Sequence, residues 1–145
     1  MIIGIGNDHH GVDVKNRIIS YLKERNIKYI DFGTNTKDNV DYIAYAKKVC
    51  KAIQNKECDL GILICGTGIG MSIVANKFKS IRCGKVNNVE EARLTKEHNM
   101  SNVMALSEKI ENLEEVLDAF LNTDYSKEER HKRRVCEIEE VENNG

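Results

Sequence analysis

A short apolar run, Leu60 to Ile64, breaks at Cys65 into Gly66-Thr67-Gly68-Ile69-Gly70. Helical spacing then takes over, with Met71, Val74, Ala75 and Phe78 on one face. Few folds accommodate that succession. A strand that feeds a glycine turn and then a helix aims backbone N–H groups at the turn, where they can hold an anion. It also leaves a thiol at the end of the strand, facing that partial positive charge.

The same change of period recurs along the chain. Ile2 to Ile5 predicts a short buried strand that runs into the polar loop Gly6-Asn7-Asp8-His9-His10-Gly11. A helix is expected from Val12, with Val14, Ile18, Ile19 and Leu22 inward, Lys15, Arg17, Lys23 and Glu24 solvated, and a stop at Asn26. Lys28 to Phe32 predicts a second strand, closed by Gly33-Thr34-Asn35, and Asp41 to Gln54 a helix through Ile43, Ala46, Val49, Cys50 and Ile53. After the glycine turn come a strand over Ile81–Val86, a helix over Val89–His98 and a strand over Asn102–Leu106. A helix over Leu113–Leu121 and a highly charged one from Ser126 to Val141 close the chain. Strands alternating with helices of ~10–15 residues make βαβ units, and hence a five-stranded parallel sheet covered on both faces. Right-handed connections give a doubly wound, Rossmann-like α/β sandwich with a C-terminal helix. A chain of this length is expected to be a single domain, 1–145.

Composition narrows the function. Lys and Arg total 22 against 23 Asp and Glu, and aromatic residues make up 6%. Neither a basic excess nor stacking platforms argue for nucleic acid. Apolar runs fall far short of the ~20 residues that cross a bilayer, so no membrane role is expected. The start, MIIGIGNDHHG, has no basic n-region and no cleavage site of a secretory signal. Five cysteines (50, 58, 65, 83, 136) are odd in number and include no C-x-x-C pair, which points to reduced thiols in a cytoplasm.

Sites in doubly wound folds lie beyond the carboxyl ends of the strands. Asp8 and His9 follow the first strand and Cys65 to Gly70 the third, so they share a rim. His98 leads into a strand and falls at the opposite end; it belongs either to a bent connection or to a neighbouring subunit's site. The G-x-G-x-G spacing is neither a dinucleotide fingerprint nor a P-loop. It reads as an oxyanion-holding loop in preference to a plain tight turn. Cys65 is either a small buried hydrophobe or a thiolate, since a helix N-terminus or a nearby cation lowers a thiol's pKa toward the physiological range. The other four cysteines read as structural. Asp8 is a good helix cap as well as a candidate sugar ligand, and His10 reads as a bystander. Arg130 and Arg134 are four apart, so both guanidiniums project from one helical face, as a phosphate dianion requires. Arg133 lies near the same face, and spacing does not choose between it and Arg134. No Ser-His-Asp order or metal-ligand cluster is present.

Taken together, Asn7-Asp8-His9-x-Gly11, Asp41-Tyr42, Gly61 to Gly70, Ala75-Asn76-Lys77, His98-Asn99-x-x-Asn102-Val103 and Arg130-His131-x-x-Arg134 resemble one family over nearly the whole chain. That family is ribose-5-phosphate isomerase type B, with the galactose- and allose-6-phosphate isomerases as its relatives. The resemblance implies aldose–ketose isomerisation of a phosphorylated sugar through an enediolate, without metal or cofactor. It casts Cys65 as the base, and Thr67 with the amides of Gly66, Gly68, Ile69 and Gly70 as the groups that stabilise the oxyanion. His98 would assist ring opening, and Asp8 and Asn99 would hold sugar oxygens. His9, Arg130 and Arg134 would clamp the phosphate, and Lys109 stands where the family often has a substrate-binding arginine. The family is dimeric, with the region around His98 contributed across the interface; a homodimer, or a tetramer built from it, is therefore expected.

Four positions depart from the family's pattern: Met100 after His98-Asn99, Ile43 after Asp41-Tyr42, Lys109, and His10 beside the phosphate or sugar. They leave the chemistry in place and bear on substrate length. The leading expectation is a ribose 5-phosphate isomerase of the pentose phosphate pathway. The alternatives are a hexose-6-phosphate isomerase and a non-catalytic sugar-phosphate-binding module. A redox-sensor role for Cys65 is weaker, with no second cysteine placed to resolve a disulfide.

Overall fold

The computed structural model describes all 145 residues. Its strands are β1 (Ile2–Asn7), β2 (Lys28–Asp31), β3 (Leu60–Cys65), β4 (Cys83–Lys85) and β5 (Val103–Ser107). Its helices are α1 (Val12–Glu24), α2 (Tyr42–Gln54), α3 (Ile69–Ala75), α4 (Val89–Asn99), α5 (Leu113–Asn122) and α6 (Glu129–Asn144), with a 3₁₀ turn at His9–Gly11. The strands form one parallel sheet in the order β2-β1-β3-β5-β4. This is the expected Rossmann-like sandwich.

The central strands are β-branched or leucine-rich and are buried on both faces, as a covered parallel sheet requires. β3 is buried along its whole length. On one face Ile3, Ile5, Ile62, Ile64, Met104 and Leu106 pack against α1, α4 and α5 through Ile18, Leu22, Ala92, Leu117 and Phe120. On the other, Leu63, Cys65, Val103 and Ala105 meet α2 and α3 through Ala46, Val49, Met71 and Ala75. Each fully buried Ile or Leu contributes about 1.5–3 kcal/mol by leaving water. α1 and α2 cover opposite faces, so the chain reverses direction between β1 and β3. That reversal is the topological switch point, where such sheets open a crevice beyond their strand ends. No helix is long and apolar enough to cross a membrane.

Several local expectations change. β4 shrinks from Ile81–Val86 to three residues: at its start Arg82 N–H donates to Asn102 Oδ1 at 2.8 Å and Cys83 exchanges two hydrogen bonds with the Asn76 amide, at 2.8 and 2.9 Å, in place of strand partners, while beyond its end Val86 N–H still donates to Ala105 O at 3.0 Å. α3 ends at Ala75, which leaves Phe78 in a turn, although Phe78 still packs on the α2–α3 core. α6 starts at Glu129 rather than Ser126, and only His131 and Val135 of its residues are buried. The largest correction concerns Lys15. It was expected in solvent and is wholly buried, with its ammonium bonded to Thr34 O at 2.6 Å and Asn35 Oδ1 at 2.5 Å and paired with Asp31 at 3.2 Å. Three acceptors match its three donors, and this satisfaction is what makes a buried charge tolerable. Of the cysteines read as structural, Cys50 and Cys58 are buried, Cys83 is half-buried and Cys136 is exposed.

Candidate active site

The carboxyl end of β3 delivers Cys65 to the switch point with its side chain almost fully buried. Its Sγ accepts a hydrogen bond from Gly68 N–H at 3.2 Å, and such a bond is stronger to an anionic sulfur than to a neutral one. Gly68 reaches that position with φ +79°, a left-handed conformation that glycine adopts without strain. A Cβ there would sit 2.9 Å from the Leu106 carbonyl carbon. The next amide, Ile69 N–H, turns back to Thr67 Oγ1 at 3.2 Å. The N–H groups of Gly66, Thr67 and Gly70 donate to no atom of the chain. The loop therefore offers three unspent donors beside the sulfur. With only seven residues, α3 adds little macrodipole, so the partial positive charge at this turn comes from these amides.

The loop after β1 closes the other wall. Asp8 is buried and Asp8 N–H donates to Ile64 O at 3.2 Å, which ties the two loops together. Asp8 Oδ1 accepts from His10 N–H at 2.9 Å, so Asp8 does cap, but it caps the 3₁₀ turn instead of α1. Its second oxygen bonds nothing within the chain. His9 Nδ1 accepts from Val40 N–H at 3.1 Å, and its Nε2 is free. His10, read as a bystander, pairs through Nδ1 with Glu108 at 2.8 Å, and both side chains lie within 4 Å of where a Gly66 Cβ would stand. Tyr42, from α2, places its ring and hydroxyl against Gly70, which a Cβ would drive to 2.6 Å from the ring. A recess of ≈ 490 Å³ beside the loop is lined by Gly66, Thr67, Ile69, Ser107 and Lys109, so Lys109 joins this end of the molecule.

His98, Asn99, Arg130 and Arg134 do not. α4 runs back to the edge where β5 begins, and His98 lies in its last turn. There the His98 ring stacks on His131 of α6, with centroids 4.2 Å apart. His131 is buried and its Nδ1 lies 2.8 Å from Ser126 Oγ. Burial, then the charges of His98 and Arg130, hold its pKa below the usual histidine value. Asn99 is exposed, and Met100 behind it takes a left-handed φ of 50° to end the helix. Arg130 pairs with Glu128 at 2.9 Å and Arg133 with Glu137 at 3.8 Å, whereas Arg134 makes no ion pair. Of the two forks that spacing leaves open, Arg134 is the one without a carboxylate partner. A concavity of ≈ 710 Å³ also lies at this end, between Asn99, Arg82, Ile138 and Val141. It holds none of the groups around Cys65.

The expected residues thus form two clusters, at opposite edges of one sheet. Cys65, the glycine loop, Asp8, His9 and Lys109 make the first; His98, Asn99, Arg130 and Arg134 make the second. Sequence reasoning assigned no part to Tyr42 or His131, although both stand in motifs quoted above; helix spacing gives no sign of a ring against Gly70 or of a histidine stack.

A family model described as Ribose/Galactose Isomerase matches residues 3–138. Ribose-5-phosphate isomerase B of Escherichia coli is 41% identical over 97% of this chain and 95% of its own. Galactose-6-phosphate isomerase subunit LacB of Clostridium acetobutylicum is 35% identical over 97% and 83%. Among solved structures, ribose-5-phosphate isomerase B of Clostridium thermocellum superposes with a TM-score of 0.94 at 42% identity, covering 99% of both chains.

Proposed function

The chain is a member of the ribose/galactose isomerase family, a sugar-phosphate aldose–ketose isomerase, and from that premise we propose that it interconverts D-ribose 5-phosphate and D-ribulose 5-phosphate through an enediolate, with Cys65 as the base. The Cys65 thiolate takes the C2 proton of the open-chain aldose. Negative charge develops on the C1 oxygen, a proton passes between the two oxygens, and the thiol returns its proton to C1. The unspent amides of Gly66, Thr67 and Gly70, with the Thr67 hydroxyl, support stabilisation of that oxyanion by the loop; one donor of this kind can contribute about 3 kcal/mol. Asp8 and Asn99 hold sugar hydroxyls, His98 assists ring opening, and His9, Lys109, Arg130 and Arg134 take the phosphate. No cofactor enters the sequence of steps.

Because the two clusters lie at opposite edges, this assignment requires two copies, each lending its His98 edge to the other's Cys65. The exposed Ile69 and Ile73 of α3, and Ile138 and Val141 beside the large groove, support such a homodimer. The five free cysteines support a reducing, cytoplasmic setting.

The observation that carries the reading is the buried Cys65 sulfur bonded to Gly68 N–H among unspent amides. Cys65→Ala is expected to lose at least ~10³-fold in kcat and to abolish exchange of the C2 proton with solvent deuterium. Full turnover by that variant would sink the base assignment. The resemblance to the Clostridium acetobutylicum LacB subunit supports a second reading, a hexose 6-phosphate substrate. Initial rates on ribose, allose and galactose phosphates separate the two. Binding of ribose 5-phosphate without C2 exchange would favour a non-catalytic module.

A further inference from the structure

A wholly buried ammonium stands one loop away from the rim. Lys15 spends its donors on Thr34 O, Asn35 Oδ1 and Asp31, and Asn7 Nδ2 adds a second bond to Thr34 O at 3.0 Å. A methionine of similar length would fill that space without the cost of burying a charge. What the charge achieves is to anchor the start of the loop between β2 and α2. From that anchor two side-chain turns carry the backbone forward: Thr36 N–H donates to Thr34 Oγ1 at 3.2 Å and Asp38 N–H to Thr36 Oγ1 at 3.1 Å. The loop arrives with Val40 N–H on His9 Nδ1 at 3.1 Å.

A backbone amide can only donate, so Nδ1 must present its lone pair, and the proton of the neutral ring sits on Nε2. We infer that Lys15 is a positioning residue for His9: by anchoring the loop that carries Val40 N–H, it fixes the His9 tautomer and leaves Nε2–H as the donor offered to the substrate's phosphate. The substrate half of this statement rests on the function proposed above; the tautomer half does not.

The test uses the full-length protein labelled with ¹⁵N-histidine, with two-bond ¹⁵N–¹H spectra that distinguish the tautomers, alongside steady-state rates on ribose 5-phosphate. The unliganded wild type should show His9 as a single Nε2–H form. In Lys15→Met the two ring nitrogens should move toward each other as the tautomers mix, and KM should rise ~10-fold with kcat within ~2-fold. Val40→Pro deletes the donor while leaving the buried lysine in place, should give the same spectrum, and decides the matter alone if Lys15→Met does not fold. A lysine needed only for stability would lower the melting temperature and leave the His9 spectrum as it was. An unchanged spectrum in either folded variant overturns the inference. A mixed spectrum with unchanged KM upholds the positioning and removes His9 from the phosphate clamp instead.

Discussion

His98 stacks on His131 at the edge of the sheet where β5 begins, whereas Cys65 ends β3 at the edge where β5 finishes, paired in register with Ser107. A strand of this length rises ~3.3 Å per residue, so roughly 13–16 Å of sheet lies between the two edges. On the assignment proposed above, one copy of the chain does not close its own site.

The proposed sharing of the site between two copies makes complementation the decisive measurement. Cys65→Ala and His98→Ala homodimers should each be nearly inactive. After subunit exchange, about half of the dimers are mixed and each mixed dimer carries one intact site of two, which restores about a quarter of wild-type activity. No recovery, with mixed dimers shown to form, would remove the cross-subunit assignment.

Arg134 is free of carboxylate partners and Arg133 is paired with Glu137. Arg134→Ala should raise KM for the sugar phosphate ~10–100-fold and leave kcat within a few-fold, as expected for loss of a charge-assisted contact made equally in ground and transition states. Arg133→Ala should change neither by more than ~2-fold. Reversed effects would place Arg133 in the phosphate site.

Gly68 combines a positive φ with a backbone neighbour too close for any Cβ. Gly68→Ala should destabilise the fold by about 2 kcal/mol or more, read as a shift in denaturant midpoint, because strain and crowding add. It should also displace the N–H that meets Cys65 Sγ. Wild-type stability together with wild-type kcat would show that the loop does not need this conformation.

His131 gives a pH signature of stability. Unfolded, it takes a proton near pH 6.5; folded, its lowered pKa delays that step. Between those values the unfolded chain binds more protons, so the stability present above about pH 6.5 is lost as the pH falls through the folded pKa. Wild-type melting temperature should decline more steeply from about pH 7 to pH 5 than that of His131→Asn, which keeps a polar group near Ser126 Oγ and cannot titrate. Equal slopes would assign the acid sensitivity to other groups.

The sheet was legible because its strands are short and β-branched and its helices switch the apolar period from two to about 3.6. Cys65 and the glycine loop were legible for a related reason, since glycines at a strand end mark a backbone approach that side chains would obstruct. Lys15 was not. A helical face counts any lysine as solvated, and nothing local announces that its acceptors come from Asp31, Thr34 and Asn35. The pairing that distinguishes Arg133 from Arg134 was equally hidden, because it depends on Glu137, one turn further along α6. The separation of the two clusters was half legible: parallel connectivity puts His98 at the wrong edge for Cys65, while the stack with His131 appears only in three dimensions.

That separation has a kinetic consequence. With Cys65 and His98 at opposite ends of the sheet, the proposed shared site makes an isolated chain not a slower catalyst but an idle one. On the shared-site reading, dilution below the dissociation constant makes turnover fall with the square of protein concentration, so that specific activity ceases to be a constant of the molecule. The amount of this protein present would then set both how much catalyst exists and what fraction of it is assembled.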